Sequence, residues 1–145
     1  KLEDPKVHAL LQYHLQSLAP TAPAESRHAL DLSGLKRPAV RFWCVWDGPH
    51  LAGFGALKTL SPQHGEIKSM RTAPEYLRQG VARQLLEHII QHAQAQGYRQ
   101  LSLETGAMAF FEPAHQLYRS FGFTEGEPFA DYRPDPLSLF MHKLL

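Results

Sequence analysis

One cysteine stands in a chain of 145 residues, and its charges nearly cancel, with fifteen Lys and Arg against fourteen Asp and Glu. A lone Cys44 rules out an internal disulfide framework and fits a reducing compartment. With a formal net charge of +1 and its basic residues scattered, the chain lacks the clustered basic face that nucleic acid requires. No apolar run approaches the ~20 residues of a membrane span, and the first residues lack a secretory pattern. No membrane attachment is therefore expected, and the expected location is cytoplasmic. The nine histidines invite a metal centre. However, His88 and His92, one helical turn apart, lack the glutamate of a zinc-protease helix and sit among glutamines, so they read as a solvated face. No metal is expected.

What the chain does have is enough apolar material, 43% of its residues, to fill one core, and too little length for two ordinary domains. Residues 1–145 read as a single α/β domain. Val7, Leu10, Leu11, Leu15 and Leu18 fall at helical spacing over Pro5–Leu18, and Ala19-Pro20-Thr21-Ala22-Pro23 breaks the pattern. A second helix is expected over about 25–35. Strands are expected near 39–47, where Cys44 reads as a buried thiol, and near 50–60, joined by Asp47-Gly48-Pro49. A third follows near 64–72. Ala82, Leu85, Leu86, Ile89, Ile90 and Ala93 make a core-facing stripe on a helix that begins after Gly80 and stops near Gly97. Strand 99–104, helix 112–120 and strands near 123–128 and 138–144 complete the pattern.

The most informative segment is Leu77-Arg78-Gln79-Gly80-Val81-Ala82-Arg83-Gln84-Leu85-Leu86, a polar glycine turn set against the start of that helix. The first helical turn has no internal partners for its N–H groups, so such a turn can cradle a phosphate; a plain bend is the alternative. A second segment, Leu101-Ser102-Leu103-Glu104-Thr105-Gly106, precedes Pro113-Ala114-His115-Gln116-Leu117-Tyr118-Arg119-Ser120-Phe121-Gly122-Phe123. From Glu66 to Phe123 these two motifs resemble the GNAT superfamily of N-acetyltransferases. Glu66-Ile67-Lys68-Ser69-Met70-Arg71-Thr72, Leu103–Gly106, Pro128–Tyr132, Asp135-Pro136 and Phe140-Met141 resemble, more closely, small bacterial members of the YsnE type. The resemblance implies a mixed, mostly antiparallel central sheet flanked by helices. The family's first strand would be shortened or trimmed here, because Lys1 to Asp4 is too short to supply it.

The resemblance also implies acetyl-CoA as co-substrate and assigns roles. Arg78, Gln79, Gly80, Val81, Ala82 and Arg83 would hold the diphosphate. Met70, Arg71 and Thr72 would run beside the pantetheine arm, with backbone groups of Met70 and Thr72 as the contacts; as a side chain, Met70 also reads as plain core. Leu77 and Phe111 depart from the family pattern, which puts Gln or Arg and Asn at those sites, and Phe111 would become a hydrophobic wall. Tyr118 would be the general acid, since a phenol stays protonated near neutrality and can donate to a departing thiolate; packing on the face of Ala114, Leu117 and Phe121 is its plain alternative. Glu66, acting through water, and Glu104 are the two candidate bases, and a solvent-facing strand position is the alternative for Glu66. Glu25, Ser26 and His28, with Tyr132 from the late loop, would bound the acceptor.

The expected function is direct transfer of acetyl from acetyl-CoA to a small-molecule amine in a ternary complex. A non-catalytic acyl-CoA-binding sensor or interaction module is the alternative, and a hydroxyl or protein lysine could replace the small amine. A strand edge near the C-terminus would admit a homodimer.

Overall fold

The computed structural model describes residues 3–18 and 32–145. In chain order the elements are α1 (Pro5–Leu18), α2 (Leu32–Leu35), β1 (Val40–Asp47), β2 (His50–Ser61), β3 (His64–Thr72), α3 (Val81–Ala95), β4 (Gln100–Gly106), α4 (Glu112–Ser120), β5 (Thr124–Glu125) and β6 (Ser138–Leu144). Single 3-10 turns at Pro74–Tyr76 and Ala109–Phe111 precede α3 and α4. Of the helix expected over 25–35, the described residues hold only α2. Among the described residues no strand precedes α1.

The six strands are ordered β1-β2-β3-β4-β6-β5. Every neighbouring pair is antiparallel except β3 and β4, which run parallel. The fold is therefore α/β with the mixed, mostly antiparallel sheet that the motifs imply. No helix among the described residues is long and apolar enough to cross a membrane.

Each face of the sheet carries its own core. On one face Val7, Leu10 and Leu11 of α1 and Leu35 of α2 pack on Phe54 and Ala56 of β2. On the other, Leu85, Leu86, Ile89, Ile90 and Ala93 of α3, with Tyr118 of α4 and Phe123, cover Leu57, Ile67, Leu101, Leu103 and Met141. Each fully buried Leu or Ile contributes about 1.5–3 kcal/mol, so these two stripes fix which way every strand faces. The α3 stripe begins at Val81, not at Ala82 as the spacing suggested. The helix ends in a Schellman turn: Tyr98 N–H reaches the Ala93 carbonyl at 3.0 Å, Gly97 N–H reaches Gln94 at 3.1 Å, and Gly97 takes φ +86°.

Two expectations change. The strand near 123–128 shrinks to Thr124–Glu125; after Gly126 donates to Phe140 at 3.0 Å the chain leaves the sheet. Pro128 has no N–H for a ladder, and Phe129 turns inward against Tyr132, Phe140 and His142. His88 and His92 are not simply solvated. Both meet the Trp43 ring edge-on, at 5.9 and 5.1 Å. Cys44 is half-buried beside the α1 core.

Candidate active site

The site exists because two parallel strands part company. β3 and β4 pair only over His64–Ile67 and Gln100–Leu103. Beyond that point, among the described residues, Lys68–Thr72 pairs with β2 alone, and Glu104–Gly106 with β6 alone. The split leaves two backbone edges without a ladder partner, facing a cavity of about 550 Å³. Backbone groups at such an edge need partners, and an extended ligand arm can supply them as a strand would.

A bulge sharpens the split. Ala56 of β2 sits opposite Lys68, and Phe54 opposite Arg71, so one extra residue is inserted in β3 around Ser69 and Met70. Ser69 takes φ +60°, which costs a non-glycine residue roughly 1–2 kcal/mol. Its buried Oγ has no hydrogen-bond partner among the described residues, a further cost of about 1–3 kcal/mol. Gly55 opposite makes room, since a Cβ there would lie 2.6 Å from the Met70 sulfur. The inserted residue also resets the alternation of side chains. Lys68 and Arg71, three apart, both lie opposite residues of the α1-side core, while Met70 packs in the core under α3.

On the α1 side of the sheet lies a polar cluster. Glu66 is 2% exposed; its Oε2 accepts from the Tyr132 hydroxyl at 2.5 Å and from Lys68 Nζ at 3.1 Å. Neither bond uses Oε1. Lys68 Nζ also donates to the Tyr132 hydroxyl at 2.8 Å. Burial, followed by the charge of Glu66, holds the Tyr132 phenol well above its ordinary value. Glu104 accepts from Ser138 Oγ at 2.8 Å. Both carboxylates line the cavity, whereas Tyr132 braces Glu66 from behind it. Glu66 is thus no solvent-facing strand residue.

From the opposite face comes Tyr118, buried and lining the same cavity with Ala114 and Leu117. Burial alone raises its phenol well above the ordinary range, so it keeps its proton. Helix α4 is fixed to the cleft by His115, whose Nε2 donates to the Gly106 carbonyl at 2.7 Å. Phe111 lines the cavity as an aromatic wall and presses on Gly106, where a Cβ would fall 2.1 Å from the ring.

At the start of α3, Gly80 occupies the cap position with φ +82° and no side-chain cap. Among the described residues nothing takes the N–H groups of Val81, Ala82 and Arg83, the condition for an anion cradle. Leu77 and Ala82 line the cavity beneath them. The side chains expected at the rim are partly engaged elsewhere. Gln79 donates back to the Glu75 carbonyl at 3.0 Å, and Arg83 lies over Phe121 and within 3.4 Å of Ser120 Oγ. Arg78 is exposed, with φ +63°. Met70, Arg71 and Thr72 all line the cavity, but the Arg71 side chain turns to α1.

There it meets residues that the sequence did not single out. Arg71 Nε donates to Nδ1 of His14 at 2.8 Å, and its guanidinium lies over the Tyr13 ring at 5.5 Å. Both α1 residues line the cavity. His14 is 5% exposed, and burial, with Arg71 adding repulsion, lowers its imidazole to about 3. Sequence spacing offered one signal: His14 shares a helical stripe with Val7, Leu10 and Leu11. Glu25, Ser26 and His28 lie outside the described residues.

The sequence model of the Acetyltransferase (GNAT) family matches residues 7–123. The Bacillus subtilis protein named "Uncharacterized N-acetyltransferase YsnE" is 56% identical over 140 residues, covering 97% of this chain and 93% of that protein. The Escherichia coli protein named "Uncharacterized N-acetyltransferase YedL" is 55% identical over 140 residues, covering 97% and 88%. A GNAT family acetyltransferase from Elizabethkingia anophelis, solved with acetyl-CoA bound, matches with a TM-score of 0.63 and 19% identity over 74% of this chain and 77% of that one, a likeness of fold alone.

Proposed function

The chain belongs to the acetyltransferase (GNAT) family, and from that premise we propose that it moves the acetyl group of acetyl-CoA directly to the amine of a small molecule, with both substrates bound at once. It is an acyltransferase of the N-acetyltransferase kind. The observation that carries the finer reading is the divided sheet, which gathers Glu66, Glu104 and Tyr118 around one cavity under the uncapped start of α3.

The cavity fits the co-substrate on the chain's own features. The free amides of Val81, Ala82 and Arg83 would take the diphosphate, and the open edge of Met70 to Thr72 would take the arm. The unpartnered Ser69 hydroxyl lies on that path. Once bound, the co-substrate supplies an acetyl thioester. Phe111, Leu117 and Leu77 would exclude water from it.

Glu66 and Tyr118 then divide the proton work. An amine acceptor is protonated near neutrality and must lose that proton before its nitrogen attacks. Glu66 Oε1, left free by both of its hydrogen bonds, would receive it directly or through water, with Glu104 as the neighbouring carboxylate. Tyr118 would give its proton to the sulfur as the carbon–sulfur bond breaks. Two protons leave the acceptor, one to Glu66 before attack and one as the amide forms; the departing thiol takes one from Tyr118, and exchange with solvent carries away the net proton and restores both residues.

Thiol release measured over a panel of small amines, with mass spectrometry of the quenched protein, tests the scheme. Release dependent on the amine, an acetylated amine product and unmodified protein are expected. An acetylated protein intermediate would overturn direct transfer. Firm acetyl-CoA binding without release over a broad panel would favour the sensor reading.

A further inference from the structure

Among the described residues, the cavity contains a cation with no matching anion. Arg71 is half-buried, and burial lowers its hold on its proton, opposed only by the Tyr13 phenol. Among the described residues its side-chain partners are His14, through Nε, and the Tyr13 ring. No Asp or Glu among them pairs with it, in contrast to Lys68, which holds Glu66 at 3.1 Å. Arginine carries five N–H donors in a planar fork, and the bond to His14 occupies one. A guanidinium taken out of water without a counter-charge is costly. Such a group kept at a cavity wall is suited to a charge that arrives from outside.

Its position argues which charge. Arg71 faces α1, on the same side of the sheet as Glu66 and Lys68. The amides suited to the diphosphate belong to α3, which covers the other face. The planar fork matches a carboxylate, which it can hold through two parallel bonds. His14 sets the orientation by accepting from Nε, and its buried neutral ring leaves the outer nitrogens for the ligand.

We propose that Arg71, oriented by His14 and Tyr13, binds a carboxylate of the acceptor, so that the preferred acceptor is a small amine that also bears a carboxylate. Arg71 is then a specificity-determining residue of the acceptor site. The proposal rests on the acetyl-transfer reading for the identity of the bound molecule as acceptor, but the carboxylate site has a readout of its own.

Calorimetric titration of the CoA-loaded protein with a panel of N-acetyl amino acids, each against its primary amide, tests the site without requiring turnover. At least one acid is expected to bind at least tenfold more tightly than its amide. Arg71→Gln should abolish that difference, and Arg71→Lys should retain part of it. Acid selectivity in a protein that acetylates no amine would support the carboxylate site while removing the transferase reading. Indifference to the carboxylate across the panel in the unaltered protein overturns the proposal. So does weaker CoA binding in Arg71→Gln with acid selectivity intact, which would assign the guanidinium to a phosphate of the co-substrate.

Discussion

The Tyr132 hydroxyl donates to Oε2 of Glu66 at 2.5 Å across 66 positions of sequence. The late loop thereby holds the carboxylate that β3 presents to the cavity, and Lys68 closes the triangle. Because both bonds fall on Oε2, the outer oxygen is oriented as well as left free.

Tyr132→Phe should therefore loosen Glu66 without touching the co-substrate. Removing one hydrogen bond from a buried carboxylate is expected to cost about 1–3 kcal/mol of stability, read by urea unfolding. Turnover should fall about tenfold while the KM for acetyl-CoA holds. Unchanged kcat would separate the loop from the chemistry.

Tyr118→Phe should lower kcat by about a hundredfold, within the range of general acid catalysis, with little change in acetyl-CoA KM. Burial holds the phenol above its ordinary value, so it should remain protonated through alkaline pH. The unaltered enzyme should then show no fall in kcat near pH 10 that vanishes in the phenylalanine variant. A pH–rate comparison of the two proteins checks this.

Elements with strong local patterning were legible in the sequence, and relations between distant elements were not. The stripe of Leu85, Leu86, Ile89, Ile90 and Ala93 announced α3 and its buried face. The helix at Glu112–Ser120 followed from its own apolar face. Neither the bulge at Ser69 nor the end of pairing after Ile67 has a local signature, because both depend on what neighbouring strands do. The resemblance sets Arg71 beside the pantetheine arm, but nothing local says where its side chain goes until α1, 57 positions earlier in sequence, puts His14 beside it. The expected strand beyond Glu125 failed for a similar reason, since its end depends on Phe129 turning in against Tyr132 and against Phe140 of β6.

Acid should weaken the fold through His14. Burial brings its imidazole from 6.5 to about 3, so between those values the unfolded chain binds a proton that the folded chain refuses. The contribution is complete above about pH 6.5 and is lost as pH falls toward 3. At about 1.4 kcal/mol per pH unit, it should cost roughly 2–3 kcal/mol between pH 7 and pH 4.5. His14→Gln keeps an acceptor for Arg71 without titrating, so its denaturation midpoint should fall less over the same interval. Parallel losses in the two proteins would remove His14 from the acid response.

Two glycines permit a control for the diphosphate cradle. Gly80 and Gly97 have φ of +82° and +86°, and a Cβ at either would meet no protein atom within 4 Å. Alanine at either position should therefore cost about 1–2 kcal/mol through the left-handed backbone alone. Gly80 precedes α3 and Gly97 follows it, with fifteen helical residues, about 22 Å at 1.5 Å per residue, between them, so only the former borders the free amides. Gly80→Ala should weaken acetyl-CoA binding by tenfold or more, because its methyl group and any backbone shift fall where the diphosphate would approach. Gly97→Ala should leave that affinity unchanged at matched stability. Calorimetric titration of both variants decides the matter: equal affinities would mean that the diphosphate is held somewhere other than the start of α3.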